Sequence, residues 1–226
     1  MTTETVDADG AVLVIPPGVY APQSDTRLLL RALDREAVGP GTDVLDVCTG
    51  SGVLAVTAAR RGARVTAVDV SARAVATARL NALLNRRRVR VRRRDLAAAM
   101  AERAYDLVLC NPPYVPAPQA GVPDRGARRA WDAGLDGRAV LDRVCDHAPN
   151  ALKPGGVLLM VHSGLCDPDL TVSRLARAGL DAAVATRTRV PLGPVLLSRR
   201  AWLSESALMH PYDASEELVV IRAQRA

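Results

Sequence analysis

Val44-Leu45-Asp46-Val47-Cys48-Thr49-Gly50-Ser51-Gly52 reads as a buried strand, a tight glycine loop and the start of a helix. Val44, Leu45 and Val47 are strand formers, while Gly50 and Gly52 let the backbone turn sharply and approach a ligand closely. The apolar run over 53–59 continues as a helix. A strand-loop-helix unit of this kind binds nucleotides, because amide groups and a helix N-terminus face the ligand. Two ligands fit the loop. Gly50-x-Gly52-x-x-Ala55 matches the dinucleotide fingerprint and so admits NAD. Asp46, at the end of the strand, instead offers a carboxylate to a cation such as the amino acid end of S-adenosylmethionine (SAM).

Working outward, strand and helix signals alternate along all 226 residues, enough for one domain with a substantial core. A short strand over 11–15 is followed by a turn at Pro16-Pro17-Gly18. Ser24 or Asp25 caps a helix over 26–37 with Leu28, Leu29, Leu30 and Leu33 on its apolar side. Further strands are expected over 64–68, in the arginine-flanked stretch that ends at Asp95, and over 105–110, 157–162, 181–190 and 217–222. Helices are expected after a Ser71 cap to 84, over 97–103, 136–151 and 170–178. Lys153-Pro154-Gly155-Gly156 reads as a turn. Such alternation implies a doubly wound, mostly parallel sheet with helices on both faces. Residues 1–38 are an N-terminal strand and helix extension, and 39–226 the ligand-binding core.

Composition narrows the class. Hydrophobic residues make up 49% of the chain, and no segment approaches the roughly 20 apolar residues of a membrane span. The first residues lack a signal peptide's basic start and apolar run, so a soluble cytoplasmic protein is expected. Cys48, Cys110, Cys145 and Cys166 are widely spaced, and His147, His162 and His210 fall in no ligand pattern; neither disulfides nor a metal site is expected. Seven arginines lie between Arg86 and Arg94, and without them the net charge of +6 becomes −1. They suit a nucleic-acid or ribosome contact. They equally suit an edge strand whose valines, Val89 and Val91, face the core while the arginines block sheet-to-sheet pairing. No aromatic residue interrupts the run to stack on single-stranded bases.

Asp46, Asp69 and Asp95 fall at or just beyond the C-terminal ends of successive strands, where open α/β sheets bind ligands. Asp69 can accept from both ribose hydroxyls of either cofactor. Asp95 can accept from an adenine amino group, with the Leu96 amide beside it. Any one such acid is more often a helix cap, but three occur in register.

Asn111-Pro112-Pro113-Tyr114 follows the fourth core strand. The Asn111 side-chain oxygen and the Pro112 carbonyl can accept hydrogens from a planar –NH2 group and aim its lone pair. The prolines stiffen the loop, and Tyr114 can stack on a planar amide or base. Here the sequence resembles the SAM-dependent N-methyltransferases that carry an NPPY motif, and NAD leaves this loop unexplained. With the Asp46–Gly52 loop, Ala67-Val68-Asp69-Val70-Ser71, Ala133-Gly134-Leu135-Asp136-Gly137 and Leu152-Lys153-Pro154-Gly155-Gly156, the chain looks like the HemK/PrmC family. That resemblance implies a class I methyltransferase fold: a seven-stranded, Rossmann-like sheet with an antiparallel last strand. It implies methylation of a glutamine side-chain amide, typically in the Gly-Gly-Gln motif of release factors. It also implies that Asp46, the loop at Cys48 with Gly50 and Gly52, Asp69, Asp95, Leu96 and Asn111 contact SAM or substrate, with Asn111, Pro112 and Tyr114 catalytic.

Pro22-Gln23-Ser24-Asp25-Thr26 before the leucines resembles a shorter branch that lacks an N-terminal helical domain, which makes Thr26 a SAM contact. In that branch some members need a small activating partner; a monomer is the expectation from this chain. The sequence departs from the family at Cys48, where the first loop glycine is usual, and at Ser24, where an acid is usual. The Cys48 Cβ narrows the approach unless φ stays negative. The segment 193–212 reads as a substrate-side flap or a long loop. Alternatives for the acceptor are a small metabolite or a nucleic-acid amino group, and the alternative to an enzyme is a SAM-fold binding protein without turnover.

Overall fold

The computed structural model describes the backbone of residues 2–6 and residues 10–226 in full. Seven strands build one sheet: β3 (Asp43–Val47), β4 (Arg64–Asp69), β5 (Val89–Arg93), β6 (Tyr105–Cys110), β7 (Leu152–Ser163), β8 (Leu180–Pro191) and β9 (Ser215–Arg225). Their order is β5-β4-β3-β6-β7-β9-β8. The pairs from β5 through β7 are parallel, and β9 runs antiparallel between β7 and β8. The seven-stranded sheet with an antiparallel last strand is therefore as the resemblance implied. Central strands packed on both faces are mostly apolar, and β3 is buried at every position, its two acids included.

One face is covered by α1 (Ser24–Leu33), α2 (Val53–Arg60) and α3 (Ala72–Leu84), the other by α4 (Leu96–Met100), α5 (Leu141–Ala151) and α6 (Pro168–Arg177). Ser71 caps α3 as expected, accepting from the Ala74 amide at 3.3 Å. The expected strand over 11–15 is β2 (Ala11–Ile15), but it stays out of the main sheet and pairs with β1 (Thr2–Val6) in a hairpin. Its other edge is closed by two side chains one turn apart, one near the end of α3 and one on the residue that caps it. Asn81 accepts from the Val14 amide (2.8 Å) and donates to its carbonyl (3.1 Å), and Asn85 does the same to Val12 (3.0 and 2.7 Å). Each side-chain amide stands in for a peptide of a neighbouring strand.

Several boundaries differ from the sequence reading. Helix α1 begins at Ser24, and its N-cap is Gln23, which makes no side-chain cap bond. Neither Ser24 nor Asp25 caps it, because Asp25 is drawn into the interior (2% exposed). Helix α5 starts at Leu141 rather than 136: Gly137 has φ +73°, and the backbone of Arg138 donates to the Asp136 side chain in a local turn. The Lys153–Gly156 turn is a wide irregularity inside β7, where the register against β6 skips from Tyr105↔Leu152 to Leu107↔Val157. The 193–212 segment is not a plain loop. It folds into α7 (Pro194–Ser198) and α8 (Arg200–Glu205), which close a small core of Leu192, Leu196, Leu203 and Met209.

The arginine run forms β5, an outer edge of the sheet, with Val91 buried. Arg92 and Arg94 both pair with Glu102, and Arg93 donates to the Val70 carbonyl. That is the edge-strand reading. At the opposite end of the sheet from the glycine loop, the chain's single lysine, Lys153, bridges Asp43 and Asp106, each at 2.9 Å.

Candidate active site

The C-terminal ends of β5, β4, β3 and β6 lie side by side, so Asp95, Asp69, the 48–50 loop and Asn111 follow one another across the sheet. At about 4.8 Å between neighbouring strands, this row is some 14 Å long. One continuous cavity runs along it. Thr26, Cys48, Gly50, Asp69, Asp95, Leu96, Asn111, Pro112 and Tyr114 all line that cavity.

Two of the expected residues do not reach its wall. Asp46 is fully buried beneath the loop; its Oδ2 accepts from Thr49 Oγ1 (2.5 Å) and the Ala55 amide (3.2 Å), and its Oδ1 has no partner. Burial pushes this carboxyl up to about 7, against the two hydrogen bonds. It braces the loop from below. Gly52 is needed for packing: at φ +83°, a Cβ there would meet the Cα of Ala78 on α3 at 3.0 Å.

Cys48 takes φ +59°, the left-handed region, and lines the cavity. The negative φ that would spare its Cβ is not adopted, so a non-glycine residue holds a conformation costing about 1–2 kcal/mol. Asp69 accepts from the Gly50 amide (3.1 Å) and the Ser71 amide (2.8 Å), one on each oxygen, which leaves the outer lone pairs to the cavity. Asp95 caps α4 through the Ala97 amide and also pairs with Arg143 at 2.6 Å. It serves both as a cap and as a cavity wall.

At the β6 end, four side chains converge on Asp25. Its Oδ2 accepts from Tyr20 Oη (2.8 Å), Tyr114 Oη (2.9 Å) and Asn111 Nδ2 (3.2 Å), while Thr26 donates to Oδ1. Asn111 Nδ2 also reaches Thr26 Oγ1 at 3.2 Å. Only the –NH2 end of Asn111 can donate to a carboxylate, so these contacts assign the amide and leave Oδ1 to the cavity. Burial pushes both tyrosine hydroxyls up, and Asp25 adds to the effect. Sequence reasoning missed Asp25 and Tyr20: an acid at a helix start has a sufficient local explanation, and its partner at 111 is far along the chain.

The loop after Tyr114 returns to the site through a bridge between Val115 and Asp132, with Val115 and Trp131 bonded at 2.7 Å. Arg199, between α7 and α8, clamps this loop. It pairs with the fully buried Asp132 at 2.6 Å and donates to the Pro116 carbonyl at 2.9 Å.

Known proteins resemble this chain in sequence and in fold. Residues 12–122 match the model of the methyltransferase small domain. A Methanocaldococcus jannaschii protein named as a protein N5-glutamine methyltransferase is 32% identical over 87% of this chain and 98% of its own length. The chain belongs to the HemK/PrmC-like methyltransferases. It is a SAM-dependent enzyme of that family. The release factor glutamine methyltransferase of Geobacter sulfurreducens is 33% identical over 75% of the chain, which spans only 62% of that relative. Among solved structures, Mtq2 of E. cuniculi, determined in complex with Trm112, superposes with a TM-score of 0.64 at 23% identity, covering 92% of this chain and 99% of that one. That likeness concerns the fold. Among the described residues, no helix is long and apolar enough to cross a membrane.

Proposed function

We propose that this methyltransferase modifies a glutamine side-chain nitrogen in a translation protein, a release factor first among them, in the cytoplasm and as a monomer. The observation that carries the reading is the Asn111 amide, pinned through its nitrogen so that its oxygen is the acceptor offered to the cavity. A planar –NH2 group can donate both to that oxygen and to the Pro112 carbonyl, whereas a hydroxyl can satisfy one of them and a carboxylate neither. The names of the relatives in M. jannaschii and G. sulfurreducens supply the glutamine.

SAM supplies an electrophilic methyl carbon on a sulfonium. The residues present fit it: Asp69 keeps acceptor capacity for a ribose diol, Leu96 gives an apolar wall beside Asp95, and Thr26 and Asn111 close the end of the row. Asn111 Oδ1 and the Pro112 carbonyl orient the acceptor nitrogen, and the ring of Tyr114 packs along the acceptor's plane. With SAM bound, these acceptors would hold the nitrogen's lone pair toward the methyl carbon, so that carbon–nitrogen bond formation would replace the carbon–sulfur bond and the nitrogen's proton would pass to solvent. Orientation and electrostatic complementarity carry the rate, with no strong base required of the chain.

The test is methyl transfer from labelled SAM to a release factor and to the same factor with its Gly-Gly-Gln glutamine changed to alanine. One methyl on the first protein and none on the second is the expected result. Label in a nucleic-acid or small-molecule fraction of a host extract, and none on the release factor, would keep the methyltransferase and replace its substrate.

A further inference from the structure

We propose that Asp25 is a positioning residue that fixes and polarises Asn111, so that a buried carboxylate acts on the methyl acceptor through an intervening amide. The proposal deepens the reading above and rests on it for the acceptor's identity. Both Asp25 oxygens act purely as acceptors, from Tyr20, Tyr114 and Asn111 on one and from Thr26 on the other. With 2% of its surface exposed, water competes little for that charge. A hydrogen bond to a carboxylate is about twice as strong as one between neutral groups. Withdrawing a proton of the Asn111 –NH2 toward Asp25 shifts electron density onto Asn111 Oδ1, at the other end of the same conjugated amide. That oxygen faces the nitrogen on which positive charge develops. Asp25 therefore has two effects: it forbids the flipped amide, which would present a donor to a donor, and it strengthens the acceptor the reaction uses.

The contacts also explain why the carboxylate sits on α1 rather than on the β6 loop itself. Asp25 and Thr26 are adjacent and meet the same Nδ2, so a single helix turn supplies both acceptors. Tyr114 and Asn111 donate to one carboxylate oxygen, which couples the positions of two residues of the acceptor motif.

Asp25→Asn keeps the size and removes the charge. With SAM and the release factor, kcat is expected to fall roughly 10- to 100-fold while KM for SAM stays within about threefold. Placed on Asn111→Ala, the same change is expected to add less than twofold, since the two residues act as one unit. Full kcat in Asp25→Asn, or an undiminished loss in the Asn111→Ala background, would overturn the proposal. The side-chain amide signal of Asn111, identified by its absence in Asn111→Ala, gives a readout that needs neither substrate nor a folded Asp25 variant. In the wild-type protein its hydrogens are expected to exchange slowly with solvent; rapid exchange overturns the proposal even if Asp25→Asn does not fold. If the wild-type protein leaves the release factor unmethylated, the substrate reading fails and this amide signal alone decides the role of Asp25.

Discussion

Gly137 lies directly against the carbonyl oxygen of Tyr114. A Cβ at position 137 would overlap that oxygen and come within 2.7 Å of Cys166 Sγ, and the residue holds φ +73°. The backbone that follows the acceptor motif thus rests on a residue that has no side chain. Gly137→Ala is expected to cost about 1–3 kcal/mol of stability through φ alone. It is also expected to displace Tyr114 and depress methyl transfer more than SAM binding. Thermal unfolding, calorimetric SAM titration and the rate of methyl transfer separate these effects; equal losses in SAM binding and in transfer would place the damage in the fold rather than at Tyr114.

Cys48 is half-buried on the cavity wall, while Cys110, Cys145 and Cys166 are buried. Iodoacetamide is expected to modify Cys48 first in the folded protein, and saturating SAM to slow that modification at least tenfold. Peptide mass analysis reports both. Modification at an unchanged rate would remove Cys48 from the cofactor contacts.

What was legible in the chain followed the reach of each signal. The strand over 105–110 and the Ser71 cap came out as read, because an apolar run and a capping hydroxyl are local chemistry. Asp25 was misread for the same reason: acids at helix starts are usually explained by the helix, and nothing nearby announces Asn111 and Tyr114. Gly52 illustrates a second limit. It sits in a ligand-binding loop, yet its missing Cβ makes room for Ala78 of α3, a contact that only packing discloses. The helix pair at 194–205 escaped because each helix is too short to show a period.

The Arg199–Asp132 pair ties that helix pair to the loop after Tyr114. Arg199→Met leaves a fully buried carboxylate without its cation and is expected to cost about 3–5 kcal/mol. Arg199→Met with Asp132→Asn is expected to recover part of that loss, since no unpaired charge remains. Denaturant unfolding of the wild-type protein and both variants measures it; a double variant no more stable than the single would show that Arg199 acts through Pro116 instead.

Glu216 at the start of β9 is pushed up to about 7 by burial, with Asp25 adding to the effect and Ser163 opposing it, and its Oε2 has no partner. The folded state therefore keeps this proton to higher pH than the unfolded chain, so the stability associated with it falls as pH rises from about 4.5 to about 7. Glu216→Gln does not titrate. The melting temperature of the variant is expected to match that of the wild-type protein near pH 5 and to exceed it at pH 8. A difference that is constant with pH would mean that the carboxyl ionises freely in the folded protein.

The placement of β9 between β7 and β8 also constrains how the protein comes into being. The ribosome delivers β7 first, then β8, and only afterwards the 215–225 stretch that pairs with both. Until that stretch emerges, β8 has no neighbour in the sheet and β7 presents an open apolar edge. Early domain assembly is thus confined to the half of the sheet from β5 to β7, which already carries the cofactor loop and the acceptor motif. The nascent enzyme has its chemistry in place before its architecture is closed, and that interval is when a chaperone would find it.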